Sequence, residues 1–287
     1  LGDIEKAEQL LREAIKAWTG TFGTRNHNIA KALISLGELE QFRGNHTDAE
    51  PLFAQAAAIR RERLGSDHIL TAASLVYQAG NLHASGKPGA EQLYLDALNV
   101  LRRKLGERDT RVAWAMSGLA NLKKDSGDLD AAEELFTEAL EIERAIPREK
   151  HPVLASCLQG LAEVMIARGH AGAAEPLLRE ALDIRRARLS EGDRRIAMTQ
   201  SVLGECLVSL ENYGQAETLL SESYPVIETA FGPQHRITQE AQNRLVDLYE
   251  STGQPELADS YRPGPEAARS DDLIRTPEPA LTENPSG

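Results

Sequence analysis

The stretch GDLDAAEELFTEALEIERA, residues 127–145, decides the fold, because weaker copies of it recur along the chain. Counting from Ala132, apolar side chains follow after three, four, seven and ten residues, at Leu135, Phe136, Ala139 and Ile142. This spacing places them on one stripe of an α-helix, and Asp and Glu fill the opposite face. The stretch therefore predicts an amphipathic helix that needs a neighbour to cover its apolar side.

The copies are found through an Ala-Glu pair that returns in steps of 42, 41, 42, 42, 42 and 42 residues. It stands at Ala7-Glu8, Ala49-Glu50, Ala90-Glu91, Ala132-Glu133, Ala174-Glu175 and Ala216-Glu217, and it ends as Ala258-Asp259. A small residue follows seven positions later in the first six copies, so each of these helices carries two notches where another helix can approach closely. A fixed period of this length is typical of helical repeat proteins.

Glycine separates the two predicted helices of most repeats, at Gly44, Gly86, Gly127, Gly169 and Gly253, and Glu211 replaces it once. The pattern predicts an orphan second helix at residues 3–19 and then six helical hairpins, at residues 28–63, 69–104, 110–145, 152–188, 194–230 and 236–261. We expect Pro225 to bend or end its helix. The array thus occupies residues 1–261, and the proline-rich segment 262–287 is predicted to be a disordered tail.

The formal charge of −12 limits the partners. It argues against nucleic acids and anionic membranes, because Lys and Arg dominate phosphate binding, and it favours a protein or peptide with basic residues. Cys157 and Cys206 fall in the helices of neighbouring repeats, which favours buried free thiols and a reducing compartment. Neither a membrane-spanning run nor a signal peptide is recognisable, so the chain is predicted to be cytoplasmic.

The first helices carry a second recurrent pair, a Leu followed by a small residue, at Leu36-Gly37, Leu119-Ala120, Leu161-Ala162 and Leu203-Gly204. Together with the turn glycine and the notched second helix, this pair resembles the tetratricopeptide repeat. The long period is similar to that of kinesin light chain and of bacterial proteins that join such repeats to a serine/threonine kinase domain. The resemblance implies an all-α solenoid, a right-handed superhelix of antiparallel hairpins whose first helices line the concave face.

The resemblance also implies where a partner would bind. By position, the groove candidates are Ile34, Glu38, Gln41, Val76, His83, Ser117, Asn121, Lys124, Gln159, Glu163, Ser201, Glu205, Asn243, Asp247 and Glu250. Trp114 maps near the groove edge, either as a peptide anchor or as a packing residue. The Lys and Asn constellation with which some family members hold a terminal carboxylate is missing, and the paired Asn residues of kinesin light chain survive only as Asn243.

Three other patterns have competing interpretations. His27, His68, His151 and His235 precede first helices, where a metal ladder would require ligands much closer than about 10 Å apart, so we expect capping or loop packing. The basic runs at 60–63, 102–104 and 185–188 form either a stripe for an acidic partner or favourable charges at helix C-termini. The sequence Asn45-His46-Thr47 matches a glycosylation sequon, but a turn and N-cap role is expected.

We found no motif for catalysis, cofactor or metal, which favours a non-catalytic module that holds a partner peptide in its groove. The alternative is a regulatory part of a larger signalling enzyme, most plausibly a serine/threonine kinase, because the first half-repeat is missing. Homo-oligomerisation through the orphan helix is a third hypothesis. Within the groove, Glu163, Glu205 and Asp247 occupy one position of consecutive repeats and predict a row of carboxylates, whose replacement by Gln should leave the melting temperature unchanged.

Overall fold

The computed structural model describes residues 2–23, 26–146 and 152–262, and every regular element in these ranges is an α-helix. His151 and the tail from residue 263 onward lie outside the described residues. In chain order the helices are α1 (Gly2–Phe22), α2 (His27–Phe42), α3 (His46–Leu64), α4 (Ile69–Ala84), α5 (Ala90–Leu105), α6 (Thr110–Asp125), α7 (Leu129–Ala145), α8 (Pro152–Ala167), α9 (Ala171–Arg186), α10 (Arg194–Ser209), α11 (Tyr213–Phe231), α12 (Arg236–Ser251) and α13 (Pro255–Tyr261).

The helices are antiparallel pairs joined by tight turns, as the repeat pattern predicts. The turn residue has a left-handed backbone in every pair, with φ between 66° and 83° at Gly44, Gly86, Gly127, Gly169 and Gly253. Glu211 adopts the same conformation with a φ of 59°, and it is the only non-glycine with positive φ in the described chain. The turn therefore imposes its conformation even where the sequence supplies a residue that is strained by it.

One column of large side chains fills the space between helices. Phe53, Tyr94, Phe136, Leu178 and Leu220 each stand four residues after the recurrent alanine, and all five are buried. The helices facing them supply glycines: a Cβ atom added to Gly37 would lie 2.7 Å from Phe53, and one added to Gly118 would lie 2.8 Å from the hydroxyl oxygen of Tyr94. Close packing of a large side chain against a glycine thus fixes the spacing of neighbouring helices.

The first helices of the hairpins lie on the inner side of the solenoid. Each contacts the first helix of the next repeat, in the order α2, α4, α6, α8, α10 and α12, whereas successive second helices of the described chain do not approach within 8 Å between Cα atoms. The array therefore curves toward its first helices, which form the concave face.

Two sequence-based expectations about single residues have different outcomes. Pro225 does not end its helix, because α11 continues through it to Phe231. Cys157 and Cys206 are both buried and free, which confirms the part of the prediction that concerns the thiols themselves. Burial raises the pKa of the Cys157 thiol to about 12 and that of the Cys206 thiol to about 11, so both are protonated near neutral pH.

Candidate functional site

The concave face encloses a cavity of about 570 Å³ that is lined mainly by α4, α6, α8, α10 and α12. Its volume lies within the range of pockets that bind ligands. The residues predicted for the groove that line this cavity are His83, Asn121, Lys124, Gln159, Glu163 and Glu205. Six of the groove residues predicted from their positions on the first helices thus lie on one continuous surface.

The other predicted groove residues lie elsewhere. Ile34, Val76, Ser117 and Ser201 are buried between helices and do not line the cavity, and only the longer side chain of Gln159 at the same position reaches it. Glu38 and Gln41 lie on α2, where Gln41 Nε2 donates a hydrogen bond to Asn81 Oδ1 at 3.2 Å. On α12, Asn243, Asp247 and Glu250 are exposed and lie outside the cavity lining.

The carboxylates of the groove are paired with cations from neighbouring repeats. Lys124 Nζ contacts Glu163 Oε2, and Arg244 Nε lies 2.5 Å from Glu205 Oε2. Of the row of carboxylates that the sequence predicts at Glu163, Glu205 and Asp247, the first two line the cavity, but each already has a cation beside it. Asp247 has no ion-pair partner among the described residues.

Burial and charge oppose each other in the Lys124–Glu163 pair. Burial alone would raise the pKa of Glu163, but the charge of Lys124 and hydrogen bonds from Lys124 and Gln159 outweigh it and lower the pKa below its ordinary value. Burial likewise opposes the charged form of Lys124, yet Glu163 keeps the pKa of Lys124 above its ordinary value. Both groups are thus charged near neutral pH and neutralise each other inside the groove.

Four apolar side chains, which we call the apolar wall, lie on the C-terminal side of the cavity. They are Met198 and Val202 on α10, Ile227 on α11 and Ile237 on α12, and the charged residues Glu205, Arg236, Glu240 and Arg244 of α10 and α12 line the same side. Sequence reasoning missed this wall, because the candidates were transferred along a single helix position. The sequence does contain a sign of this wall. Val202 and Met198 stand three and seven residues before Glu205, whereas the equivalent residues before Glu163 are Gly160 and Ser156, which are not large apolar residues.

Trp114 packs against its neighbours rather than standing free. Its ring lies edge-on to Tyr77 with 5.0 Å between centroids, and Tyr77 stacks on Phe53 with 5.8 Å between centroids. Trp114 also packs against the central core cluster. Of the two roles that the sequence left open for Trp114, the structure supports packing.

Two side-chain contacts cross the groove between distant repeats. The guanidinium group of Arg194 lies over the ring of Phe42, 4.0 Å from the centroid, and within 5.0 Å of the Phe231 centroid, and we call these three residues the Arg194 clasp. Arg236 at the start of α12 lies 3.3 Å from the carboxylate of Asp125 at the end of α6. These contacts join the start of α10 to the end of α2 and the start of α12 to the end of α6. They therefore link the two sides of the concave face.

The recurrent histidines have structural roles at two of the predicted places. The Nδ1 atoms of His68 and His235 accept hydrogen bonds from the N–H groups of Leu70 and Ile237, at 3.1 and 3.2 Å, and so cap α4 and α12. At α2 the cap is Asn26 rather than His27. The part of the chain that the structure describes contains no group of three or more side chains suited to hold a metal ion.

The basic runs are largely engaged inside the array. Arg60 donates hydrogen bonds to the Leu70 carbonyl and to Ser74 at 3.0 and 2.9 Å, and Arg185 donates to Gln159 at 2.5 Å. Both therefore tie a second helix to neighbouring first helices instead of forming a stripe for an acidic partner. In the sequon, Asn45 occupies the N-cap position of α3, but its side chain donates to Glu40 Oε2 at 3.0 Å and makes no capping bond.

The 42-residue hairpins, their left-handed turns and the large-against-small packing are the marks of one repeat family. A family model described as tetratricopeptide repeat matches residues 1–62, 28–103, 88–145, 111–187 and 195–261. The chain belongs to the tetratricopeptide repeat family. Such repeats form protein–protein interaction modules, and the prediction of fold and family from the sequence is confirmed. No helix of the described tetratricopeptide array is long and apolar enough to cross a membrane.

Solved structures with the same fold include kinesin light chain-like proteins. BtubC (BKLC) from P. vanneervenii matches with a TM-score of 0.56 and 21% identity, over 79% of this chain and 90% of that one. A putative kinesin light chain with nearly identical repeats from Podosopora anserina matches with a TM-score of 0.52 and 21% identity, over 71% and 97%. Pseudomonas aeruginosa pilF matches with a TM-score of 0.50 and 16% identity, over 85% and 96%. A search of curated protein sequences found no significant match.

Proposed function

We propose that this tetratricopeptide array holds a segment of a partner protein in its concave cavity. The observation that carries the proposal is the mixture of side chains around one space: the apolar wall of Met198, Val202, Ile227 and Ile237 lies beside hydrogen-bonding side chains of α4, α6, α8, α10 and α12. A peptide offers both kinds of surface, since its backbone can bond to the polar side chains while its own side chains cover the apolar wall.

The charges of the cavity favour a partner segment that is largely uncharged where it contacts the central repeats. Four carboxylates and three Lys or Arg side chains line the cavity, and the pairs Lys124–Glu163, Arg244–Glu205 and Arg236–Asp125 already satisfy each other. An incoming Lys or Arg would have to displace one of these cations, which gains little. Apolar and neutral polar groups fit without that exchange.

A basic residue of the partner fits best at the C-terminal end of the groove. Asp247 lies there without an ion-pair partner among the described residues. Burial and the nearby charges of Glu250 and Glu205 raise its pKa, so a cation placed beside it would relieve the repulsion among these acids. The preference for basic residues that the net charge suggests is thus proposed for one end of the groove only.

The alternative of a regulatory region within a larger signalling enzyme concerns segments outside this chain. No observation on the described residues favours it over a free-standing adaptor, and it stays a prediction from the sequence. Either arrangement uses the same groove, so the experiment below applies to both.

The proposal is tested by selecting random peptides displayed on phage against the full chain and titrating the tightest peptide by calorimetry. Met198→Arg places a long charged side chain on the apolar wall, and we expect it to weaken binding by at least about tenfold, or 1.4 kcal/mol. The matched control is Leu95→Arg, because Leu95 is 44% exposed on the second helix α5 and lies outside the cavity. Equal affinities for Met198→Arg and the parent would place the binding surface elsewhere.

A further inference from the structure

One position of the groove lacks a side chain. The residues at the same place of successive first helices are Glu38, Gly80, Asn121, Glu163, Glu205 and Asp247, and the middle four line the cavity. Five of these six are polar or charged, and the second is glycine. The polar surface of the groove is therefore interrupted on α4, in the same repeat in which the large-residue column has a tyrosine.

Tyr94 is the only member of that column with a polar atom. The equivalent residues Phe53, Phe136, Leu178 and Leu220 are apolar and just as buried, so packing between the helices does not require the hydroxyl group. A phenyl ring or an isobutyl group fills the same place in the other repeats. The hydroxyl of Tyr94 thus calls for an explanation other than helix packing.

Two glycines open a passage from Tyr94 to the groove. A Cβ atom added to Gly80 would lie 3.4 Å from the Tyr94 hydroxyl oxygen, and one added to Gly118 would lie 2.8 Å from it. Tyr94 belongs to the second helix α5, yet it lines the cavity together with Gly80 and Gly118 of the first helices α4 and α6. The hydroxyl of the second helix α5 therefore reaches the cavity between α4 and α6, because Gly80 and Gly118 have no side chains that would block it.

The hydroxyl has no hydrogen-bond partner among the residues that the structure describes, although Tyr94 is only 3% exposed. Burial raises the pKa of Tyr94 well above its ordinary value, so the group stays neutral and can donate. Because Tyr94 lines the cavity, an atom of a bound ligand can reach this hydroxyl. A donor held by packing and aimed into a cavity is suited to a ligand oxygen.

We propose that Tyr94 is a ligand-binding residue of the groove, whose hydroxyl donates a hydrogen bond to a carbonyl or carboxamide oxygen of the bound segment at the place left open by Gly80. This inference rests on the function proposed above. A neutral oxygen is the matching acceptor, because the cavity lining holds four carboxylates and only three Lys or Arg side chains, and this excess of negative charge disfavours a carboxylate. The array thus replaces a groove side chain of the first helix by a hydroxyl from the second.

The first test removes the hydroxyl alone. Tyr94→Phe should weaken binding of the tightest phage-selected peptide by about 5- to 30-fold, because the peptide oxygen loses its donor. The melting temperature should stay the same or rise, since the hydroxyl has no partner inside the array. Tyr224→Phe is the control: it removes a hydroxyl that donates to Glu228 at 2.9 Å outside the cavity, and it should leave peptide affinity unchanged.

The second test restores a polar groove residue. Gly80→Asn combined with Tyr94→Phe reproduces the arrangement of the next repeat, which has Asn121 and Phe136 at these two positions. We expect the double variant to recover a large part of the affinity that Tyr94→Phe loses. Rescue of this kind would not follow from a merely structural defect of Tyr94→Phe.

The outcomes separate this inference from the function on which it rests. Unchanged affinity in Tyr94→Phe, with affinity lost in Met198→Arg, would overturn the role of Tyr94 and keep the groove. A drop in melting temperature of more than about 4 °C in Tyr94→Phe would show that the hydroxyl supports the fold, and this would also overturn the inference. If Met198→Arg has no effect either, both proposals fail.

Discussion

The guanidinium carbon of Arg194 lies 4.0 Å from the centroid of the Phe42 ring, and Arg194 Nη1 donates to the Phe42 carbonyl at 3.1 Å, although 152 residues separate the two. Repeats in a solenoid ordinarily contact only their neighbours. Here the start of α10 meets the end of α2 across the groove, and the ring centroid of Phe231 on α11 lies 5.0 Å from the same guanidinium carbon. The Arg194 clasp is thus a long-range contact in a fold built from local ones.

Removing the clasp should loosen the N-terminal repeats. We expect Arg194→Ala to speed hydrogen exchange at the end of α2 and to enlarge the radius of gyration seen by X-ray scattering, because cation–π contacts contribute about 0.5–2 kcal/mol each. Arg195→Ala is the matched control, since Arg195 pairs at 2.9 Å with Asp193 of its own turn. Identical exchange and scattering for all three proteins would show that the clasp does not hold the array.

Breaking the Lys124–Glu163 pair should reduce stability, contrary to the expectation from sequence alone. Glu163→Gln leaves Lys124 largely buried without its partner, and we expect a loss of about 1–3 kcal/mol near pH 7. The control Glu180→Gln removes the partner of Arg144, 2.9 Å away, and both of these side chains are more than 40% exposed. It should cost less than about 1 kcal/mol. Equal stability of the two variants would contradict the paired groove.

The same pair predicts how that loss depends on pH. The folded-state pKa of Glu163 is lowered from 4.5, so its contribution is present above that value and is lost as pH falls through the lower pKa. The pKa of Lys124 is raised above 10.5, so its contribution is lost as pH rises through the raised value. Urea unfolding of the parent and Glu163→Gln should therefore differ most near neutral pH and converge at both extremes.

Glu211 offers a stabilising substitution. Its φ of 59° costs an ordinary residue about 1 kcal/mol that glycine does not incur, so Glu211→Gly should raise the melting temperature by about 2–4 °C. Gly127→Ala, at the equivalent turn with a φ of 83°, should lower it by a similar amount. A lower melting temperature for Glu211→Gly would mean that the Glu211 side chain stabilises its turn in another way.

The contact between Phe136 and Gly160 predicts a paired substitution. A Cβ atom at Gly160 would overlap the Phe136 ring, so Gly160→Val should destabilise by about 1–3 kcal/mol. In the next repeat the same two positions hold Leu178 and Val202, both buried in one cluster. Adding Phe136→Leu should therefore recover much of the loss in thermal unfolding. Additive losses in the double variant would contradict the assigned contact.

The helices were predictable because each one repeats its own pattern. The helix at 127–145 reveals the repeat period, and the period predicts the positions of the turns. Most helices therefore end where the spacing predicts, although α1 extends to Phe22 rather than to residue 19. Even the strained turn at Glu211 was found by counting rather than by residue type. These features depend only on residues close in sequence.

The site was predictable only in part, because its chemistry depends on residues from different repeats. Glu163 and Glu205 were placed on the groove, but their partners Lys124 and Arg244 come from neighbouring first helices. The Arg194 clasp depends on curvature accumulated over several hairpins, which no single repeat encodes. Tyr94 was overlooked because it belongs to a second helix, and only the glycine at position 80 indicates that the hydroxyl reaches the groove.

Phe136 packs against Gly160, whereas Leu178 packs near Val202 at the same two positions, so the repeats are not interchangeable. Where α7 meets α8, Phe136 requires Gly160, and where α9 meets α10, Leu178 accepts Val202, whereas Phe53 stacks on Tyr77 at the equivalent place of α4. The side chains that fit together therefore differ from one junction between repeats to the next. Duplication or deletion of a 42-residue unit preserves the fold only where the new junction matches, so the order of repeats in this chain is itself encoded in the side chains at their borders.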